Sequence, residues 1–119
     1  MMSIATRVTF EHLEQSDTTE AHAAELIEEL TKDYDCIISV RVVIARPQRR
    51  HHKGDVFQIR IHMTISGAPD IVVTHEPEHM ANHEDIQVTM DRAFKAARRQ
   101  LRDFTQIRQG HVKDHMRRG

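Results

Sequence analysis

From Phe57 to Ile65 the chain alternates without a break: Phe57, Ile59, Ile61, Met63 and Ile65 are apolar, and Gln58, Arg60, His62 and Thr64 between them are polar. A period of two is the mark of a strand with one dry face and one wet face. Such a strand belongs in a sheet covered on one side only, and other elements must supply the cover. At 119 residues the chain has room for one domain with a modest core. The remaining segments must therefore complete this one sheet and its covering layer.

Residues 4–10 set Ile4, Thr6, Val8 and Phe10 against Ala5, Arg7 and Thr9, which predicts a first strand. Asp17 with Glu20 three positions on resembles a capping box, and Ala23, Leu26, Ile27, Leu30 and Tyr34 recur at helical spacing. A helix is expected over residues 18–33, with Glu25, Glu28 and Glu29 on its outer face. From Cys36 to Arg46 the chain is rich in β-branched residues, with Val40, Val42 and Ile44 on one parity. Pro47 has no amide hydrogen to continue the pairing, so "RPQRRHHKGD" (46–55) reads as a hairpin loop before the alternating strand at 55–66. A turn at Gly67–Asp70 leads to a short strand, Ile71 to His75, and "EPEHMANHED" reads as a polar loop.

The last element starts near His83 or Glu84. Ile86, Met90, Ala93, Ala97, Leu101 and Phe104 place one apolar stripe along a helix that ends near Ile107. The order is thus β-α-β-β-β-α. The fold class is α+β, a two-layer sandwich with both helices on one face of a four-stranded sheet. Residues 1–107 form the single domain and 108–119 a basic C-terminal tail. The open face is expected to carry Arg7, Arg41, Gln58, Arg60 and His62.

A formal net charge of −1 conceals segregation into blocks. Residues 11–35 hold nine acids against Lys32, and residues 70–91 hold six acids and no Lys or Arg. Residues 41–62 hold six bases against Asp55, and residues 92–119 nine bases against Asp103 and Asp114. If the basic blocks meet in the fold, they create one surface that attracts polyanions. On the last helix, at 100° per residue, Arg92, Lys95, Arg98, Arg99 and Arg102 all face away from the apolar stripe. A merely solvated helix usually mixes its bases with glutamates at i±4. Here none intervenes between Asp91 and Asp103, and arginine outnumbers lysine four to one, which suits bidentate phosphate contacts. The Arg/His-rich loop extends the same field, and its histidines add charge as the pH falls.

Other chemistries find little support. The single Cys36 excludes an internal disulfide and reads as a small buried hydrophobe in a reducing compartment. The N-terminus lacks the apolar run of a signal peptide, and no run approaches the ~20 residues of a membrane span, so a cytoplasmic protein with no membrane partner is expected. His75-Glu76-Pro77-Glu78-His79 fits the H-E-x-x-H pattern of zinc proteases, but Pro77 prevents one helix from running through it. His79 and His83, four apart, could join His75 on a metal only adventitiously. No nucleophile elbow, Walker loop or dinucleotide fingerprint is present, and no enzyme activity, metal, cofactor or small-molecule substrate is expected. With Tyr34 and four phenylalanines as its aromatics, the chain also lacks platforms for stacking bases. Recognition of RNA would go through backbone and shape.

"CIISVRVVIARPQRRHHKGDVFQIRIHMTISGAPDIVV", followed by "HEDIQVTMDRAFKAARRQLRDF" and "GHVKDH", resembles the short ribosome hibernation-promoting factors, also called ribosome-associated inhibitor A or sigma-54 modulation proteins. The resemblance covers the chain from about residue 20 onward. It implies a β-α-β-β-β-α domain that binds the small ribosomal subunit near the decoding centre and silences translation under stress by occupying the mRNA and tRNA channel. By position, Arg92, Lys95, Arg98, Arg99 and Arg102 correspond to the family's rRNA-contacting helix, and Arg41 and Arg60 to basic sheet positions. The loop cations Arg49, Arg50 and Lys53, and Lys113 in the tail, complete the expected RNA-binding set, and the tail with Arg117 and Arg118 is expected to reach further along the RNA. The acidic first helix departs from the family pattern, and so does the segment before it. The second domain of the long factors is not expected. The alternative from a different class is a non-enzymatic interaction module whose acidic helix or open sheet edge docks a regulatory protein.

Overall fold

The computed structural model describes residues 4–46, 57–76 and 85–117, with side chains as far as residue 108. Its elements run β1 (Ala5–Glu11), α1 (Asp17–Asp33), β2 (Ile37–Ala45), β3 (Gln58–Ile65), β4 (Ile71–His75) and α2 (Ile86–Arg117). This is the expected α+β order. The strands lie β1-β2-β3-β4, with β1 parallel to β2 and the other two pairings antiparallel. The parallel pair requires a crossover, which α1 provides. The loop expected at 46–55 falls, beyond Arg46, outside the described residues, as do positions 77–84.

The alternation that opens the argument controls the packing. Ile59, Ile61 and Met63 on β3 are fully buried, as are Val42 and Ile44 on β2, while Arg41 and Arg60 stand exposed on the other parity. Onto the dry face α1 brings Ala23, Ile27 and Leu30, and α2 brings Met90, Ala93, Phe94, Ala97 and Leu101. The two helices run side by side in the same direction. Their contacts advance together from Thr19 and Gln87 (3.2 Å) through His22 and Asp91 (2.7 Å) to Asp33 and Arg98 (2.7 Å).

Three local details depart from the sequence reading. First, the N-cap of α1 is Ser16, whose Oγ accepts from the Thr19 amide at 3.2 Å, so Asp17 is the first helical residue. Glu20 then lies one position too late for a capping box, and its carboxylate instead accepts from Gln15 Nε2. Because "SDTTE" offers four competent caps in a row, the spacing alone did not choose among them. Ser16→Ala is expected to cost about 1 kcal/mol and Asp17→Ala only a few tenths, read as a difference in urea midpoints.

Second, α2 continues to Arg117, ten residues beyond the expected end. The apolar stripe stops at Phe104, and Ile107 is already 71% exposed. The helix outlasts its packing because no proline follows to break it and its residues are mostly adequate helix formers. The backbone at 108–117 is thus helix where a tail was expected. Third, Cys36 is only half-buried against the core edge, and burial pushes its thiol up, with Asp35 adding to the effect; its own backbone hydrogen bond and Arg108 oppose it. In the β3–β4 turn Gly67 takes φ +68°, a left-handed conformation that a residue without Cβ adopts freely.

Candidate nucleic-acid interface

With Met90, Ala93, Ala97 and Leu101 buried against the sheet, helical geometry turns Arg92, Lys95, Arg99 and Arg102 outward, and all four are exposed. Lys95 and Arg99, one turn apart, have no carboxylate partner among the described residues. Arg102 Nε lies 3.9 Å from Asp103 Oδ1, a loose contact between exposed groups that leaves the cation largely available. Arg98 differs from its neighbours. It sits on the flank of the stripe facing α1, where Nη1 donates to Asp33 Oδ2 at 2.7 Å and the guanidinium lies over the Tyr34 ring at 5.8 Å. Its first role is therefore to join the helices. Beside this cationic ridge α1 exposes Glu25, Glu28 and Glu29, so the helix layer is acidic on one half and basic on the other.

A second group of cations occupies the open face of the sheet. Arg7 and Arg41 are partners in the β1–β2 register, and Arg41 is in turn the partner of His62 on β3. Arg60 stands two residues from His62 on the same face, exposed and without a carboxylate partner among the described residues. Arg7, Arg41 and His62 border a hollow of about 620 Å³ that also includes Ser39, Thr64 and Asp70. His62 Nε2 and Asp70 Oδ2 are 2.7 Å apart. Among the described residues, therefore, the basic blocks do not merge into one surface. The α2 set and the sheet set stand on opposite sides of the sandwich, about 20 Å apart across a helix and a sheet layer. The physical reason is parity: Arg41 and Arg60 alternate with Val42 and Ile61, which point at the helices.

Arg49, Arg50 and Lys53 lie outside the described residues; Lys113 lies in α2, beyond the described side chains. His75 closes β4 as the strand partner of Ile59, and Glu76 Oε1 accepts from Gln58 Nε2 at 2.8 Å. The first histidine of the H-E-x-x-H pattern is thus in a strand, where the one-helix geometry of a zinc protease is out of reach. Among the described residues, no group of three histidine, cysteine or acidic side chains converges to hold a metal ion, and no helix is long and apolar enough to cross a membrane.

Residues 6–109 match the family described as sigma 54 modulation protein / S30EA ribosomal protein. The chain belongs to this family. Its solved neighbours include a ribosomal subunit interface protein from Coxiella burnetii, with a TM-score of 0.66 at 12% identity over 86% of this chain and 98% of that one. The N-terminal domain of Protein Y from Thermus thermophilus aligns with a TM-score of 0.63 at 17% identity, over 86% and 99%. At such identities the likeness is one of fold. No curated protein matches the sequence. The S30EA match spans both cation sets, the exposed α2 ridge and the open sheet face. Within this fold Asp33, Tyr34 and Asp70 are parts of the site that sequence spacing did not single out, whereas Arg7 and His62 are expected on the open face but without a place in the RNA-binding set. The first two announce themselves only once α1 and α2 are seen side by side. Arg7 acquires meaning from its register with Arg41, which the crossover through α1 sets.

Proposed function

We propose that this S30EA-family protein is a cytoplasmic ribosome hibernation factor that binds rRNA phosphates of the small subunit and occludes the mRNA and tRNA channel under stress. The observation that carries the reading is the exposed ridge of Arg92, Lys95, Arg99 and Arg102 on α2, held rigid by the buried stripe beneath it. A rigid cationic helix can follow a phosphate backbone without reading base identity. The family description names a ribosomal protein, and the Coxiella burnetii neighbour is named for the ribosomal subunit interface. Cations on both sides of a thin sandwich suit a partner that surrounds the domain, as a channel does, better than a flat docking surface. Inhibition then needs no bond made or broken, only occupation of space that tRNA and mRNA require.

The test is sedimentation of cell extract through a sucrose gradient. Comigration with small subunits and whole ribosomes is expected, and a lighter complex would instead favour the interaction-module reading. Binding measured between 50 and 200 mM salt should fall steeply. Each phosphate contact removed by substitution should shallow the slope of log affinity against log salt by about 0.7 to 0.9. A salt-independent affinity would sink the electrostatic mechanism.

A further inference from the structure

The α2 ridge suffices to attract a polyanion, yet the hollow on the opposite side has a chemistry of its own. Arg7 and Arg41 are direct partners on adjacent parallel strands, so their side chains emerge from the same face about 4.8 Å apart. Like charges placed directly opposite destabilise a strand pair. Neither guanidinium has a carboxylate partner among the described residues, although the chain holds 18 acids. Asp70, the acid among the residues lining the hollow, is bound to His62 instead. In the adjoining row Ser39 and Thr64, which are partners across β2 and β3, bring two hydroxyls to the rim. The arrangement is two planar donor forks, two neutral donors and an unrelieved repulsion, around open space. A phosphate group, whose oxygens can accept from both guanidinium groups at once, relieves that repulsion and satisfies the forks.

We infer that this hollow is a phosphate-binding site, in which Arg7 and Arg41 hold one phosphate group between them, Ser39 and Thr64 supply hydroxyl donors, and Asp70, tied to His62, weakens the hold. The inference rests on the ribosomal reading only for the source of the phosphate, which is either an RNA backbone or a mononucleotide. Asp70 marks the site as adjustable, because its charge opposes the anion at short range and is held in place by its hydrogen bond with His62.

The full chain, labelled for amide NMR, is titrated separately with inorganic phosphate, with adenosine monophosphate and with a short single-stranded RNA. The signals of Arg7, Arg41 and His62 are expected to move. Arg7→Gln/Arg41→Gln should weaken that binding at least about tenfold, and Asp70→Asn should strengthen it on the order of threefold. Arg7→Lys/Arg41→Lys, which keeps the charge and loses the fork, should retain part of the affinity and so separates a lost site from a damaged fold. Movement with RNA alone identifies a chain of phosphates as the ligand, and movement with all three probes identifies a single phosphate as sufficient. No movement with any probe, or unchanged affinity in Arg7→Gln/Arg41→Gln, overturns the site. These titrations contain no ribosomes, so their failure leaves the sedimentation result standing, and failure of sedimentation leaves the titrations readable.

Discussion

Reversing the charge at Lys95 and Arg99 together is expected to lower small-subunit affinity about 100-fold near physiological salt. Each charge-assisted phosphate contact is worth about 1.5 kcal/mol or more, and two lost contacts compound. The new glutamates also repel the RNA, so that figure is a floor. These positions are preferable to Arg98, because Arg98 is bonded to Asp33 and stacked on Tyr34, and its reversal would set two carboxylates against each other across the helix seam. Lys95 and Arg99 are exposed and unpaired among the described residues, so Lys95→Glu/Arg99→Glu should leave stability within about 0.5 kcal/mol of the parent. The matched control is Glu28→Lys/Glu29→Lys on α1, which should bind as well as the parent or better. Filter binding to purified small subunits reads both. Equal affinity in the two double variants would remove α2 from the interface.

The largest effect on stability is expected at Leu101. Its side chain is fully buried where α2 crosses the sheet, and it is the last fully buried anchor before the stripe thins to Phe104. Leu101→Ala removes the transfer energy of the lost methyl groups and leaves a cavity that a helix pinned upstream by Ala93 and Ala97 closes only in part. A cost of about 2 to 5 kcal/mol follows, against a total stability on the order of 5 to 15 kcal/mol. In urea the midpoint should fall with the slope unchanged, since the folded and unfolded surfaces alter little. Val72→Ala, on the open face and 47% exposed, should stay within about 0.5 kcal/mol. Similar midpoints for the two variants would mean that α2 is not docked as described.

Much of this was legible before any coordinates. The alternation at 57–65 fixed which residues of β3 turn inward, and the stripe from Ile86 to Phe104 placed the α2 bases outside. Both signals are periodic and many residues long, so no single residue decides them. What escaped was decided by single residues or by distant ones. Ser16 won the cap from Asp17 by one position among near-equals. The end of α2 was misplaced because the stripe reports packing, whereas the helix persists on propensity alone. The Arg98–Asp33 pair joins residues 65 apart, and the Arg7–Arg41 pair depends on a register that no local pattern encodes. The described cations divide between the two sides of the sandwich for a related reason: charge blocks along a chain carry no information about which side of a sheet they reach.

The acidic α1 lying alongside the basic α2 gives the helix layer an electric dipole directed across the two axes. In the field of a polyanion such a body feels a torque as well as a pull, and it rotates while still at a distance. Approaches that present the glutamates are turned away before contact, so the geometry acts first on the rate of productive collision and the pose of arrival, and only afterwards on the lifetime of the complex.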